Sequence, residues 1–235
     1  MRWVGRGACV KVLLFGASGM VGQGVLRECL LDSAVDTVVS VGRHPAGVRH
    51  PKLTEMLAGD VAHFEATTGP LDGFDACFFC LGVSSIGKTE AEFRRVTYDL
   101  TVAVAHALAP RNPSMTFVYV SGAGTDSTET GPRMWARVKG ATENALLAMP
   151  FKAAYMFRPG AIQPLHGVRS KTAAYRAIYI VLRPLLPLFL RLAPNSVTTT
   201  ERVGRAMIAV ARSGAPSRWV ETREINELGR APSRP

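Results

Sequence analysis

An α/β fold built on a doubly wound parallel sheet is what this 235-residue sequence predicts, and three observations predict it. Strand-like apolar runs alternate with helix-like segments as far as residue 157, the grammar of a sheet covered by helices on both faces. The first run, VKVLLF at 10–15, passes directly into Gly16, Gly19 and Gly22 and then into a helical pattern. The length suits one domain with a substantial core and requires no second one.

The predicted elements are a strand at 10–15, a helix at about 20–31, strands at 37–41 and near 53–57, a strand at 75–81 and a helix at about 89–108. A strand at 116–121, a helix at about 132–148 and a strand at 153–157 follow. Residues 1–165 form the core of this reading, and 166–235 add a small helical region that completes the same domain as a lid or an interaction surface. Crossovers between parallel strands are right-handed. Ligands of such sheets bind beyond the carboxyl ends of the strands, so the glycine turn, Arg43, the turn at Leu81 and Gly82, Ser121 and the Pro159 loop are expected on one edge.

The G-x-x-G-x-x-G spacing has a physical reading. A tight strand-to-helix turn, a backbone that a pyrophosphate can approach, and close helix packing each ask for glycine, while helix-start amides face the phosphates. Gly16, Ser18, Gly19, Met20, Val21 and Gly22 are therefore candidate cofactor contacts. After the second strand, where an acid would bind the ribose 2′-hydroxyl of NAD, the chain has Val41, Gly42 and Arg43. A forked guanidinium suits a 2′-phosphate, so NADP(H) is expected over NAD(H), with a solvated loop arginine as the plain alternative. Asp60 follows the third strand as an adenine-side contact or an ordinary loop acid. GVSSIGKT at 82–89 also satisfies the P-loop pattern between a strand and a helix. The next strand ends in Ser121, however, where a nucleoside-triphosphatase needs an acid for Mg²⁺.

Charge and cysteine usage narrow the classes further. The net charge is +10, and residues 133–205 carry 12 Lys/Arg against 2 Asp/Glu. An anionic cofactor, substrate or membrane surface accounts for this excess. No zinc-finger spacing, RNP-like strand or basic helix points to nucleic acid. Cys9, Cys29, Cys77 and Cys80 lack metal-ligand spacing and read as reduced core residues, and the five histidines are scattered, so no metal site is expected. With no apolar export segment after Met1–Ala8, a cytoplasmic protein is expected.

With Ser121 in VYVSGAG, Lys139 in MWARVKGATENAL and Arg158–Ile162 in FRPGAI, residues 10–165 resemble the short-chain dehydrogenase/reductase superfamily. The similarity is to its extended and atypical branches, including the Tat-interacting oxidoreductases and the NAD-dependent epimerase/dehydratases. That resemblance implies a Rossmann fold in which Ser121 polarises a substrate carbonyl, Lys139 binds the nicotinamide ribose, and Pro159, Gly160 and Ala161 border the nicotinamide. It also implies a tyrosine four residues before the lysine, where this chain has Trp135. An indole donates a hydrogen bond but does not titrate near neutral pH. Trp135 either closes the pocket or packs the helix face. The helix position that often carries an active-site asparagine holds Thr97, and Tyr98 beside it replaces the missing acid only if its helix points inward.

Residues 175–192, YRAIYIVLRPLLPLFLRL, have a basic amphipathic profile with Arg176, Arg183 and Arg191 on one side. Three arginines and two prolines argue against a spanning helix. A lid or oligomer contact, or a peripheral membrane contact, fits the pattern. The expected function is NADP(H)-dependent oxidoreductase or epimerase chemistry on a small apolar or anionic substrate. The alternatives are a sensor that retains the nucleotide site without turnover, and the P-loop phosphotransferase.

Overall fold

The computed structural model describes residues 9–168 and 195–230. Seven strands form one parallel sheet: β1 (Val10–Phe15), β2 (Val35–Gly42), β3 (Leu53–Leu57), β4 (Ala76–Phe79), β5 (Thr116–Val120), β6 (Ala153–Arg158) and β9 (Trp219–Glu221). Their spatial order is β3-β2-β1-β4-β5-β6-β9. The order reverses between β1 and β4, whose residues pair from Val12↔Ala76 to Phe15↔Phe79. Ligands of doubly wound sheets bind in the crevice beyond such a reversal. A short parallel pair, β7 (Ala161–Gln163) with β8 (Val197–Thr199), lies outside the main sheet.

The strands read as near-continuous apolar runs because both faces are covered. Alternation divides β1 between two cores. Val12 and Leu14 join Val25 of α1 (Met20–Leu31), Phe78, Val118 and Met207 of α6 (Thr200–Ser213). Leu13 and Phe15 face the other way, with Phe79, Phe117, Tyr119 and Leu108. Phe79 stands between Phe15, at 5.5 Å between ring centroids, and Phe117, at 6.0 Å. Cys77 and Cys80 divide between these cores in the same way. All four cysteines are free, and Cys9 is exposed, which corrects the expectation that all of them belong to the core.

On the first face α1 and α6 cross closely. A side chain on Gly24 would start 2.5 Å from Thr200 Cβ, and one on Gly204 would start 2.9 Å from Glu28 Cβ. The buried Glu28 is paired there with Arg205 at 2.9 Å and with Arg27. The opposite face carries α2 (Glu65–Thr68), α3 (Glu90–Arg94), α4 (Leu100–Leu108) and α5 (Met134–Leu147), and α7 (Thr222–Leu228) follows β9.

Two sequence expectations are corrected by these elements, and a third, the C-terminal helical region, is met by α6 and α7 and extended. The strand expected at 75–81 ends at Phe79, because Cys80 and Leu81 turn against Gly16. The helix expected at 89–108 contains a π turn at Arg95–Asp99 between α3 and α4. The C-terminal region is not only helical, since β8 pairs with β7 and β9 extends the main sheet beyond β6. Residues 175–192 lie outside the described residues. No helix among the described residues is long and apolar enough to cross a membrane.

Candidate functional site

The glycine turn sits at the reversal. Gly16 has φ +88°, and a Cβ there would lie 2.8 Å from the backbone of Cys80 and Leu81. A Cβ on Gly22 would overlap the Gly16 carbonyl, so α1 seats directly on the turn. Gly19 caps the helix and its N–H reaches the Gly16 carbonyl at 2.9 Å. Among the described residues no side chain caps this helix, and no acid occupies its first turn. The contrast is with Thr199 at the start of α6 and Thr89 at the start of α3, whose hydroxyls accept helix amides. The first-turn amides of a helix have no intrahelical acceptor. Those at Met20, Val21 and Gly22 stand at the positive end of the α1 dipole, beside Ser18, on a turn packed so closely that a Cβ at Gly16 or Gly22 would strike backbone. This is the shape and charge that a dinucleotide pyrophosphate requires.

Arg43 is exposed immediately beyond β2, whose Val41 pairs with Phe15 at the end of β1, so Arg43 flanks the turn. Asp60 is exposed beyond β3. It receives the Ala62 N–H at 2.9 Å and meets His63 at 2.9 Å, and these bonds hold its carboxyl below the usual range. Leu81 and Gly82 leave β4 beside Gly16. In the P-loop-like stretch, Thr89 exchanges hydrogen bonds with Glu92 in a capping box. Its hydroxyl therefore serves a helix start, and the triphosphate reading gains no support from the geometry.

The second half of the site is built on α5. Lys139 donates to the Ser121 carbonyl at the end of β5. Burial pushes its amine down to about 8 against the opposing pull of Glu143. The Ser121 side chain points the other way, and its hydroxyl donates to Glu143 Oε1 at 2.5 Å and lies 3.1 Å from the Phe157 carbonyl. The position facing the lysine is Gly122, where a Cβ would lie 3.6 Å from Lys139 Nζ. Trp135, one turn before Lys139, packs its ring edge toward Gly124. Tyr98 lies in the π turn under Arg94, with the guanidinium 3.9 Å from its ring centre. Thr97 beside it is buried and its hydroxyl has no partner among the described residues.

Pro159, Gly160 and Ala161 follow β6 at the same edge. The Pro159 carbonyl accepts the Ala123 N–H at 2.9 Å, Gly160 N–H donates to Thr222 Oγ1 at 2.8 Å, and Ala161 N–H donates to the Ser196 carbonyl at 2.9 Å. The structure thus places the glycine turn, Leu81, Ser121, Lys139 and the Pro159 loop along one sheet edge. The sequence reading missed Glu143 and gave Arg158 no role. Arg158 forks onto Glu143, with Nε at 3.0 Å and Nη2 on the second oxygen, and reaches Ser127 Oγ at 2.6 Å. The available signal was a carboxylate one helical turn beyond Lys139 on the face that must meet the sheet. Among the described residues no cluster of His, Cys, Asp or Glu could hold a metal ion.

Fold and site together define a Rossmann-type protein of the nicotinamide-dinucleotide-binding class. The chain belongs to the NAD(P)H-binding family, whose model matches residues 16–155. It is 27% identical over 230 residues to the protein fmp52-2, mitochondrial, of Aspergillus terreus, across 92% of this chain and 96% of that one. The FMP52 protein, mitochondrial, of Chaetomium globosum is 25% identical over 231 residues, across 93% and 96%. Among solved structures, the Bordetella bronchiseptica enzyme WbmF in complex with NAD+ shares the fold with a TM-score of 0.65 and 15% identity, over 94% of this chain and 78% of that one. A short chain dehydrogenase family protein from Francisella tularensis shares it with a TM-score of 0.62 and 14% identity, over 88% and 93%. The mitochondrial names of the curated relatives overturn the cytoplasmic location expected from the sequence.

Proposed function

We propose that this protein binds NADP(H) and reduces an apolar carbonyl compound, or oxidises the corresponding alcohol, in the mitochondrial setting its Fmp52 relatives' names give. The observation that carries the reading is the uncapped α1 start on the Gly16–Gly22 cradle, with Lys139 and the Pro159 loop farther along the same edge. Gly16, Ser18, Gly19, Met20, Val21 and Gly22 would hold the pyrophosphate, with Leu81 and Gly82 alongside. Arg43 would hold the 2′-phosphate and Asp60 would border the adenosine. Pro159, Gly160 and Ala161 would border the nicotinamide.

The bound cofactor supplies or accepts the hydride at the substrate carbon. The chain must then manage the proton on the substrate oxygen. The position four residues before Lys139 holds Trp135 rather than a tyrosine, and Ser121 spends its proton on Glu143. An ammonium group that titrates at about 8 is matched to general acid work near neutral pH. Lys139 would hold the nicotinamide ribose, and it would give its proton to the carbonyl oxygen as the carbon takes the hydride and recover one from solvent. Were residues 175–192 to line the pocket, the substrate would be apolar; the same segment would otherwise offer a peripheral membrane or oligomer contact.

The test is NADPH oxidation across a panel of medium-chain aldehydes and ketones. Turnover lost in Lys139→Met, with residual NADPH binding, supports the assignment. The inward turn of Ser121 and the indole at Trp135 favour a second reading, an NADP(H)-binding sensor without hydride transfer. Tight NADPH binding with no turnover across the panel would select it.

A further inference from the structure

We infer that Glu143 is a positioning residue for the nicotinamide end of the site. One buried carboxylate holds both Ser121, whose carbonyl receives Lys139, and Arg158, which leads into the Pro159–Gly160 loop. The inference rests on the dinucleotide reading above.

Glu143 has no exposed surface, and its two oxygens take three donors from two strands: the Ser121 hydroxyl of the β5 end and the Nε and Nη2 groups of Arg158 at the β6 end. Arg158 is held in turn by Ser127 of the loop after β5 and by Glu221 of β9 at 3.4 Å. Replacing a buried ion pair with apolar residues is often neutral or stabilising, so the pair is weak evidence for a purely stabilising role. Its reach is the better clue. The carboxylate ties α5 to the strand ends on either side of the Lys139 ammonium, and Lys139 and Glu143 share a helix face one turn apart. Moving Glu143 would shift the lysine, its carbonyl acceptor and the proline loop together, while the glycine turn of β1 and α1 shares none of these bonds.

Among the described residues, few charged and titratable groups stand around Lys139 and Glu143. Tyr119 of β5 is one of them, its phenol pushed up by burial and by the Glu143 charge. Glu143 lies on the same helix as Lys139, with Arg158 from β6 and Glu221 from β9 behind it. The π turn packed on α5 brings Arg95 and Asp99, both exposed, and Tyr98 under Arg94. From α3, Glu90 is paired with Arg137 at 2.6 Å. Asp126, in the loop after β5, is bonded to Thr128 and Gly131. Glu143 is the group whose charge favours the Lys139 ammonium against burial.

The experiment compares the wild type with Glu143→Gln in titrations with NADPH and with adenosine 2′,5′-bisphosphate, which lacks the nicotinamide end. Glu143→Gln is expected to weaken NADPH by about tenfold or more, as expected for one charge-assisted hydrogen bond, and to leave the bisphosphate within roughly twofold. In the wild type, NADPH affinity is expected to fall as pH rises through about 8. The midpoint moves lower in Glu143→Gln and the profile flattens in Lys139→Met. If Glu143→Gln does not fold, Ser121→Ala cuts the link to the lysine while leaving the Arg158 pair, and should give a smaller loss confined to NADPH.

Equal losses for both ligands, or unchanged NADPH affinity and pH midpoint in a folded variant, would overturn the inference alone. A wild type that binds no nicotinamide dinucleotide would overturn the underlying reading and the inference with it. If the wild type prefers NADH, the same comparison runs with NADH and AMP.

Discussion

Arg43 follows β2 where an acid would favour NAD, and its exposure leaves the guanidinium open to a phosphate. Arg43→Ala should weaken NADPH by about ten- to hundredfold, the range of a lost charge-assisted contact, and leave NADH nearly unchanged. Calorimetric titration with the two cofactors checks it, and equal losses would assign the arginine to the loop alone. Lys139 carries a different signature, in stability. Burial pushes its amine from 10.5 down to about 8, so the folded chain binds this proton less tightly than the unfolded one does. The cost to stability is fully present below pH 8 and disappears as pH rises toward 10.5. Lys139→Met should therefore stabilise the cofactor-free protein at pH 7 by on the order of 1–2 kcal/mol and raise its melting temperature, and the gain should shrink toward pH 10. Thermal melts across that range read the difference. A lysine kept at such a cost is better explained by what it binds than by what it stabilises.

At the scale of elements, helix starts distinguish the phosphate readings. The α1 start has no side-chain cap among the described residues, whereas the α3 start is closed by the Thr89–Glu92 box. Thr89→Ala should cost about 1 kcal/mol through the lost cap while leaving NADPH affinity unchanged. Thermal melts and NADPH titration measure the two effects, and strong Mg-ATP binding that vanished in this variant would return GVSSIGKT to the phosphate role. The same elements show what the sequence could and could not reveal. The strand–glycine–helix unit of β1 and α1 was legible because its periodicity, small residues and turn are local. The π turn at 95–99 was not, because a widened helical turn keeps an ordinary composition and is set by packing against α5. Ser121 and Lys139 were legible as positions, but the direction of the serine hydroxyl was not. It depends on Glu143, distant in sequence, and on the Phe157 carbonyl of a neighbouring strand.

At the scale of the molecule, the C-terminal residues belong to the site as much as to the frame. β9 adds to the sheet beside β6 through Met156↔Trp219 to Arg158↔Glu221. Thr222 then meets the Gly160 N–H at 2.8 Å, and Asn226 of α7 donates to the Val197 carbonyl at 2.8 Å. These contacts pass from β9 and α7 to the loop expected to border the nicotinamide, while the glycine turn depends on β1, β4 and α1. A chain ending at Gly214 keeps α6 against α1 but loses β9 and α7. It should melt at a lower temperature, since the buried Val220 and Ile225 leave the core. It should also lose NADPH affinity more than affinity for adenosine 2′,5′-bisphosphate, because the pyrophosphate cradle survives and the proline loop is released. Thermal unfolding and paired titrations of the truncated chain test both halves of this expectation. Wild-type NADPH affinity in a truncated chain with a lowered melting point would separate the C-terminal strand from the site and leave it a purely structural role.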